Sequence, residues 1–442
     1  MKKLVVLLLA LLMVMSAMPS MSMAEEKMTL NVWSFTDELS GIIENYYKPA
    51  HPDVEINYQM YSTEEFFQNK LPTMMASGAL EDQPDVFALE ADYAKYWIES
   101  DYTASLLDVG FTEEELAISV PAVVDFGRNP AGVPKALSWQ CTPGALMYRR
   151  SLAEKYLDVT TPEEFQELVC DWETFVETAE ELNEASEGAV KMFNSVGDIY
   201  KPYFYQRAQG WVVDGVLQID EAMIELMETA KYCEEEGLYN MGVQWEETWF
   251  AGMKSDITMC YFLPTWGLHY TLKPNCGGEA VGEGTYGDWA MVSGPVGYSW
   301  GGTWLGANAA KVAVADDAKK AAIKEFIRYC ATDEEFLYQY AQDSGDFVSN
   351  IAVAEKIVGE GGMPNDFLGG QDHYSIFAES SLLINANATT GYDGKINGLF
   401  TDYALTPYIK GEKSMDEALA AFRDQVATTY AGEVDAYASA AA

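Results

Sequence analysis

The stretch Met28-Thr-Leu-Asn-Val-Trp33 alternates apolar and polar residues, which is typical of a strand with one face against a core. The loop Ser34-Phe-Thr-Asp37 follows it and can cap a helix, which we predict over residues 38–47. Prolines then end that helix, and Val54-Glu-Ile-Asn-Tyr58 predicts a second alternating strand. This region therefore predicts a β-α-β unit.

The same alternation continues downstream. An amphipathic helix is predicted over residues 64–77, a short buried strand over Pro84-Asp-Val-Phe-Ala-Leu89, and a further helix over residues 94–100. Strands that alternate with helices predict an α/β fold whose open, mostly parallel sheet is covered by helices on both faces. At ~150 residues per domain, a chain of 442 residues has room for two or three such units.

The rest of the chain contains helical and extended segments but no long linker rich in Pro, Gly or Ser. Thr161-Pro162 predicts a helix start, with Thr161 as N-cap and Pro162 as the first helical residue. Further helices are predicted over residues 171–183, 220–236, 317–331 and 415–430, and further strands over residues 257–262 and 289–292. We therefore expect two α/β lobes that the chain connects by short extended crossings, near residues 136–140, 302–305 and 344–347.

The charge of the chain excludes two classes of partner. It carries 27 Lys and Arg residues against 69 Asp and Glu residues, a formal net charge of −42. Nucleic-acid binding relies on Lys and Arg to displace counterions from phosphates, so we expect no nucleic-acid partner. A polybasic attachment to a membrane surface is excluded for the same reason. With 49% apolar residues and 13% aromatic residues, the composition is that of a folded globular protein.

The N-terminus has the features of a secretory signal peptide. Met1-Lys2-Lys3 is a basic start, and the apolar run over residues 4–15 is shorter than the ~20 residues that span a bilayer. Ser22-Met23-Ala24 is a small-x-small cleavage site. We predict a signal peptide over residues 1–24 and an exported mature protein, with an uncleaved anchor as the alternative.

The cysteines and histidines do not indicate a metal centre. The six cysteines are far apart and form no CxxC pair, and the three histidines have no metal-ligand spacing. We expect no metal and no cofactor, and mostly reduced cysteines; Cys170, Cys233, Cys260 and Cys330 are predicted in apolar, core-like surroundings. Asp393-Gly-Lys-Ile-Asn397 is only a fragment of a calcium-loop pattern, and we interpret it as a surface turn.

Aromatic and acidic residues follow two of the predicted strands. Trp33 and Asp37 lie at the end of the first strand, and Glu90, Asp92 and Tyr93 lie just past the strand that ends at residue 89. Ligands of open α/β sheets bind at the carboxyl ends of the strands, so this cluster predicts ligand contact. For Asp37 a role as helix cap is equally compatible with the sequence.

Several tryptophans stand beside Gly or Pro in loops or at strand ends, where they have few packing partners and suit a surface approached by a ligand. They are Trp139 with Gln140, Trp211, Trp266, and the pair in Trp300-Gly301-Gly302-Thr303-Trp304. Flat apolar rings that alternate with carboxylates and amides match the apolar faces and the hydroxyls of a sugar. The remaining tryptophans that we assign, Trp97, Trp172, Trp245 and Trp249, are predicted on helical faces in the core.

Signals of catalysis are weak. No G-x-S-x-G elbow, P-loop or GxGxxG motif follows a predicted strand. Paired carboxylates occur by chance among 69 acidic residues, so they do not establish a glycosidase. The sequence therefore favours a binding protein over an enzyme.

An ordered set of segments across the mature chain resembles the extracellular solute-binding proteins of sugar ABC transporters, the group around maltodextrin-binding protein. The segments are Leu30-Asn-Val-Trp33, Pro84 to Asp92, Gly132-Val-Pro-Lys-Ala136, Ala145-Leu-Met-Tyr-Arg149, Phe250 to Trp266, Gly301-Gly-Thr-Trp304, Ala322 to Ile327 and Thr332 to Phe336. The resemblance implies two α/β lobes, each with a mostly parallel sheet flanked by helices, joined by a three-segment hinge. It also implies that Trp266 is a sugar-binding aromatic residue and that Gly301 and Gly302 belong to a crossing that contacts sugar.

The resemblance also implies an organisation and a function. We expect residues 25–137 and 304–344 in the N-terminal lobe, and residues 138–303 and 345–442 in the C-terminal lobe. A carbohydrate, expected to be an oligosaccharide, would bind between them and be delivered to a membrane ABC permease by a monomeric protein in the periplasm or at the cell surface. Lipidated members carry a cysteine at the cleavage point, whereas the first cysteine here is Cys141, so no lipid anchor is indicated.

Combining both lines of argument gives a predicted ligand-binding set. Its members are Trp33, Asp37, Glu90, Asp92, Tyr93, Trp139, Gln140, Trp211, Trp266, Gly301, Gly302 and Trp304. Two alternatives stay open at this point. One is a binding protein for a cationic solute such as a polyamine, favoured by the acidic residues, and the other is an exported glycan-degrading enzyme.

Overall fold

The computed structural model describes residues 27–386 and 388–438, so the predicted signal peptide over residues 1–24 lies outside the described residues. The strands are β1 (Met28–Ser34), β2 (Val54–Met60), β3 (Val86–Glu90), β4 (Ala136–Ser138), β5 (Gly144–Arg149), β6 (Val212–Val213), β7 (Val216–Leu217), β8 (Cys260–Pro264), β9 (Trp289–Val292), β10 (Thr303–Ala307), β11 (Pro364–Asn365) and β12 (Gln371–Asp372).

Helices surround these strands. The α-helices are Asp37–Ile42, Lys48–Ala50, Thr63–Glu65, Leu71–Ala76, Ala91–Glu99, Glu113–Leu116, Pro121–Phe126, Arg150–Leu157, Pro162–Leu168, Trp172–Ala185, Tyr200–Gln206, Glu221–Glu235, Glu247–Met253, Thr265–Gly267, Ala309–Val314, Asp317–Thr332, Glu334–Ser344, Ile351–Gly359, His373–Ser381, Asp393–Phe400, Thr406–Ile409 and Met415–Thr429. The π-helical turns are Ile43–Tyr47, Phe66–Lys70, Leu268–Leu272 and Thr401–Leu405. The 3₁₀ turns are Leu80–Asp82, Leu106–Val109, Val196–Ile199, Lys273–Asn275 and Asp366–Leu368.

The first lobe is built on a five-stranded sheet with the order β2-β1-β3-β10-β4. Strands β1, β2 and β3 are parallel, as the repeated β-α-β pattern predicts, whereas β10 is antiparallel to both β3 and β4. Strand β10 is antiparallel because of the end of the sheet from which the chain enters it. Strand β3 ends at the edge of the sheet that faces the second lobe, and β10 enters the sheet from that edge, so Thr303 pairs with Glu90.

The second lobe is built on a three-stranded sheet with the order β8-β5-β9, in which both pairs are antiparallel. This sheet therefore differs from the mostly parallel one that we expected in each lobe. Strand β5 enters from the edge that faces the first lobe and β8 ends there, so Gly144 pairs with Pro264. Parallel bridges from Lys191 to Thr258 and from Phe193 to Tyr239 extend the β8 side.

Three extended segments connect the lobes and lie side by side. The first crossing, residues 139–143, is central: Cys141 N donates to Phe347 O of the third crossing, residues 345–350 (3.0 Å). On its other side, Trp300 N of the second crossing, residues 293–302, donates to Thr142 O (3.1 Å). The predicted crossings near residues 136–140 and 302–305 overlap strands β4 and β10. In the structure the first crossing therefore begins after β4, at residue 139, and the second ends before β10, at residue 302. The exact lobe boundaries stay a prediction.

Local signals in the sequence account for several helix starts. Thr161 and Glu164 form a capping box with Pro162 in the first turn, and Ser414 forms a second capping box with Glu417. Two local predictions were wrong. Cys170 is exposed, whereas the other five cysteines are buried. All six cysteines are free. Asp393 begins a helix and forms a buried ion pair with Arg207, so residues 393–397 are not a surface turn.

Trp211, which we predicted to bind ligand, lies in the core of the second lobe. It is 1% exposed, its ring centroid is 5.3 Å from that of Phe400, and its Nε1 donates to Asn397 Oδ1 (2.6 Å). The guanidinium of Arg207 lies 5.1 Å from its ring centroid. Between residues 27 and 438, leaving out residue 387, no helix is both long and apolar enough for a bilayer span.

We predict that Trp211→Ala lowers the free energy of unfolding by ~3–5 kcal/mol, because the truncation leaves a cavity in a close-packed core and an unpaired Asn397 side chain. Denaturant titration followed by circular dichroism measures the effect. Val213→Ala, at a neighbouring exposed position, is the control and should change the free energy by less than about 0.5 kcal/mol. Similar stabilities for both variants would contradict the core assignment.

Candidate ligand-binding site

A cavity of about 1170 Å³ lies between the facing edges of the two sheets. The ends of β1 and β3 and the start of β10 approach it from the first lobe, and the segment after β8 approaches it from the second. Its lining residues are Phe35, Thr36, Asp37, Glu38, Thr63, Glu90, Asp92, Gln140, Lys201, Gln244, Trp245, Trp266, Tyr270, Trp300, Gly301, Gly302, Thr303 and Asp346. The chain therefore has its largest described cavity where α/β sheets bind ligands.

The cap of the first helix is Thr36 and not Asp37. The Thr36 hydroxyl caps this helix by accepting a hydrogen bond from Glu38 N (3.2 Å). Asp37 is exposed and lines the cavity, so its carboxylate is available to a ligand. Glu90 has both roles, because it lines the cavity and also caps the helix Ala91–Glu99 by accepting from Asp92 N (2.8 Å).

Three indole rings form the wall contributed by the second lobe and the second crossing. Trp245 and Trp266 are nearly parallel, with ring centroids 6.1 Å apart and an interplanar angle of 19°. Trp300 lies edge-on to both, at 5.7 Å from Trp245 and 5.6 Å from Trp266. The Trp266 Nε1 donates to Trp300 O (2.8 Å), which fixes its ring plane. Trp245 is 46% exposed although it is a large apolar residue.

The glycines of the second crossing allow this wall to approach the first lobe. Gly301 and Gly302 have φ values of 76° and 109°, a region that side chains disfavour. A Cβ on Gly301 would lie 2.7 Å from Trp266 Nε1, and one on Gly302 would lie 2.9 Å from the Trp304 ring. The Gly302 carbonyl accepts from Ala91 N (3.1 Å), which joins the crossing to the end of β3.

The carboxylate of Glu38 accepts three hydrogen bonds at one end of the cavity. The donors are Trp139 Nε1 (3.0 Å), Gln140 Nε2 (2.9 Å) and the hydroxyl of Tyr340. The same Tyr340 hydroxyl is 3.3 Å from Asp346 Oδ2, so two carboxylates share one phenol. Glu38 thereby connects the first helix to the first crossing and to the helix that precedes the third crossing.

Asp346 has fewer hydrogen-bond partners than Glu38. It is 5% exposed and lines the cavity, and its Oδ1 has no hydrogen-bond partner. Burial, followed by the proximity of Glu38, raises the pKa of Asp346 to about 7. Asp346 therefore holds a proton at mildly acidic pH unless a positive charge compensates it.

A second acid–base group lines the cavity, with two carboxylates, Glu90 and Asp92, and one lysine, Lys201. Lys201 forms an ion pair with Asp92, and this contact joins a helix of the second lobe to one of the first. Burial and the neighbouring Asp92 raise the pKa of Glu90 to about 8, although Lys201 opposes the shift. Burial alone would lower the pKa of Lys201, but Asp92 outweighs that effect and the pKa is raised. Among the described residues, no group of His, Cys, Asp and Glu has an arrangement that could hold a metal ion.

Seven residues of the predicted binding set line the cavity. They are Asp37, Glu90, Asp92, Gln140, Trp266, Gly301 and Gly302. Trp139 lies fully buried behind the cavity wall and acts on it through its hydrogen bond to Glu38.

The other four predicted residues, including Trp211, have packing roles. Trp33 is 3% exposed and packs edge-on against Tyr61 (5.5 Å). Tyr93 stacks on Phe67 (4.5 Å). Trp304 is 4% exposed, packs against Phe126 (4.2 Å) and donates to Val123 O (3.2 Å). Side chains that alternate along a strand face opposite sides of the sheet, so a ring on a strand packs against helices while the loop after the strand faces the cavity.

Sequence reasoning missed several lining residues. The prediction of Trp245 in the core was wrong: it has a positive φ of 71° just before the helix Glu247–Met253, where the chain turns toward the cavity. Trp300 was recognised only as part of its segment. Glu38, Lys201, Tyr270 and Asp346 gave no separate signal, because each lies on or next to a helix and comes to the cavity only through packing of the two lobes.

Comparison of the chain with known proteins identifies its family. The model of the family described as bacterial extracellular solute-binding protein matches residues 33–335. A search of curated proteins gave no match.

Solved structures with the same fold are numerous and distant in sequence. A crystal structure of an extracellular solute-binding protein of family 1 has a TM-score of 0.77 at 20% identity, with 90% of this chain and 100% of that chain covered. The galacto-N-biose/lacto-N-biose I-binding protein of an ABC transporter from Bifidobacterium longum, solved with lacto-N-biose, has a TM-score of 0.70 at 12% identity and coverages of 93% and 99%. An ABC transporter-associated binding protein from B. animalis subsp. lactis, in complex with beta-1,6-galactobiose, has a TM-score of 0.66 at 17% identity and coverages of 91% and 97%.

We predict that Asp346→Asn stabilises the ligand-free protein more at pH 8 than at pH 4.5. A carboxyl group whose pKa rises from about 3.9 in the unfolded chain to about 7 in the folded chain binds more protons when folded. Its contribution to stability therefore falls as the pH rises between those two values, and the neutral amide avoids this loss. Thermal unfolding should show a midpoint raised by a few degrees at pH 8 and by much less at pH 4.5.

Asp343→Asn is the control for this measurement, because Asp343 accepts a hydrogen bond from the Tyr46 hydroxyl on the protein surface. It removes a carboxylate that does not line the cavity and serves as the reference at both pH values. Equal shifts of Asp346→Asn at both pH values would contradict the pKa assignment.

Proposed function

The chain belongs to the family of bacterial extracellular solute-binding proteins, and on that premise we propose that it captures a carbohydrate between its two lobes for an ABC importer. The proposed ligand is an oligosaccharide, and the proposed partner is a membrane permease that receives it. The single observation that carries this proposal is the wall of three indole rings, Trp245, Trp266 and Trp300, in the cavity between the sheets.

Aromatic rings and polar groups alternate around the cavity in a way that suits a sugar. A pyranose has apolar C–H faces that pack on flat rings, and hydroxyls that need donors and acceptors in fixed positions. The exposed Trp245 and the half-buried Trp266 offer ring surface. Gln140, Gln244 and Thr63 line the same space and can donate or accept hydrogen bonds.

The size of the cavity favours more than one sugar ring. Its volume of about 1170 Å³ exceeds the ~300–1,000 Å³ of common small-molecule pockets. The lacto-N-biose and beta-1,6-galactobiose complexes of two structural neighbours support a disaccharide or longer ligand.

The proposed mechanism is hinge closure around the ligand, the motion that periplasmic binding proteins exemplify. Ligand contacts from both lobes stabilise the closed state, so binding shifts the population toward it. Contacts that join the lobes are in place near the cavity: Lys201 pairs with Asp92, and Gly391 N donates to Glu99 Oε1 (3.1 Å). A closed protein with its sugar would then be the form that the permease recognises.

Two further features belong to this proposal. The family is one of extracellular proteins, so we place the mature chain outside the cytoplasmic membrane, in the periplasm or at the cell surface. Members of the family are binding proteins, and we assign no catalytic reaction. A second candidate ligand is a cationic solute such as a polyamine. It is favoured because five carboxylates and one lysine line the cavity.

We predict that Trp266→Ala weakens carbohydrate binding by roughly 1–3 kcal/mol, the cost of losing a stacked aromatic ring. A thermal-shift screen against mono- and oligosaccharides first identifies a ligand, since a ligand that binds only the native state raises the melting temperature. Calorimetric titration of that ligand then measures the affinity of the variant.

Trp172→Ala is the matched control, because Trp172 is a partly exposed tryptophan outside the cavity that stacks on Tyr203 (4.2 Å). Its affinity should equal that of the unmodified protein. A Trp266→Ala protein with unchanged affinity and a loss of ~3–5 kcal/mol in stability would show that Trp266 is a core residue and would refute its binding role.

A further inference from the structure

We propose that the end of the cavity around Glu38 and Asp346 binds an ammonium group of the ligand, so that the captured carbohydrate is an amino sugar with a free amine. This inference rests on the proposed function and specifies its substrate class. It follows from the charges at this end of the cavity, from the unsatisfied oxygen of Asp346, and from the exposed ring of Tyr270 beside them.

Three carboxylates converge at this end without a basic partner. Asp37, Glu38 and Asp346 all line the cavity. Within residues 27–386 and 388–438, no Lys, Arg or His side chain lies within ion-pair distance of any of them. Asp346 is buried, Glu38 is partly buried and Asp37 is exposed. A buried carboxylate is costly unless it is paired, so this group is suited to a positive charge from outside the protein.

The hydrogen bonds show where that charge is needed. Glu38 has three donors, from Trp139, Gln140 and Tyr340, and its acceptor capacity is largely used. Asp346 shares only the Tyr340 hydroxyl, and its Oδ1 is buried without a partner. A positive charge in the cavity beside Asp346 would compensate this poorly paired carboxylate, since a buried charge without a partner is destabilising.

An ammonium meets this requirement better than a hydroxyl. A sugar hydroxyl can donate one hydrogen bond to Asp346 but leaves the negative charges of the carboxylate pair uncompensated. An ammonium has three donors and a full positive charge, so it can bind Asp346 and a second carboxylate together. Charge-assisted hydrogen bonds are about twice as strong as neutral ones.

Tyr270 adds an aromatic face at the same end. It is 64% exposed and lines the cavity, although it is a large apolar residue. Burial and then the carboxylates of Asp346, Glu38 and Asp37 raise the pKa of its phenol to about 12. The face of an aromatic ring attracts a cation, so Tyr270 adds to the preference of this end of the cavity for positive charge.

The other end of the cavity does not compete for the cation. Its two carboxylates, Glu90 and Asp92, already face Lys201, which forms an ion pair with Asp92. The indole wall of Trp245, Trp266 and Trp300 is the remaining surface and suits a sugar ring. A ligand with both a pyranose ring and an ammonium uses all of these features, whereas a linear polyamine has no ring to stack on the indoles.

The experiment compares matched sugars that differ only in the amine. Calorimetric titrations at pH 6.5 use glucosamine and glucose, galactosamine and galactose, and the β-1,4-linked glucosamine dimer and cellobiose. The N-acetylated dimer provides a neutral analogue of similar size, and spermidine provides a cation without a sugar ring. We expect at least one amino sugar to bind tenfold or more tightly than its hydroxyl counterpart, and the glucosamine dimer to bind more tightly than the N-acetylated dimer.

Variants assign the preference to this end of the cavity. Asp346→Asn should bring the amino and hydroxyl sugars to within about threefold of each other while the hydroxyl sugar retains its affinity. Glu38→Gln should reduce the preference in the same direction. Asp343→Asn, a surface carboxylate on the helix before the third crossing, should leave the preference unchanged.

The outcomes separate this inference from the proposed function. A hydroxyl sugar that binds as tightly as its amino counterpart, or a preference that survives Asp346→Asn, overturns the ammonium site and leaves carbohydrate capture intact. Binding of spermidine but of no sugar overturns both the amino-sugar ligand and the proposed function. Binding of none of these compounds overturns the amino-sugar ligand.

Discussion

The carboxylate of Glu38 joins segments that are far apart in the chain. It receives hydrogen bonds from Trp139 and Gln140 in the first crossing and from Tyr340, a few residues before the third crossing. The first crossing in turn pairs with the second and third along its length. Because the geometry of both lobes meets at this carboxylate, the shape of the cavity and the path of the hinge depend on one buried hydrogen-bond network.

Sequence patterns predicted the parts of the fold that local physics determines. The alternation over residues 28–33, the helix start at Thr161 and the helix Asp317–Thr332 follow from side-chain period and helix capping. The antiparallel direction of strands β5 and β10 was not predicted, since it depends on the end of the sheet from which the chain enters after it crosses between the lobes. That choice is made by the tertiary arrangement and leaves no local pattern.

The binding site shows the same division. Asp37, Glu90 and Trp266 were predicted because they follow strands, and such positions face the cavity in this class of fold. Trp33 was assigned to the site by its position at the end of a predicted strand and Trp304 by its glycine-rich segment. Each lies within a strand and packs against neighbouring elements of the first lobe. Asp346 belongs to a crossing whose partner, Glu38, is about three hundred residues away, and only packing brings the two carboxylates to one phenol.

The second crossing combines two tasks in one run of peptide units. Trp300, Gly301 and Gly302 line the cavity, while their backbone also joins the lobes and receives the hydrogen bond of Ala91. A change of residue here alters the ligand surface and the hinge together, so few substitutions can satisfy both. Trp245 stands in a loop outside the three crossings, with its ring half exposed. A substitution in the Trp245 loop therefore reshapes the cavity wall without touching the backbone contacts between the crossings.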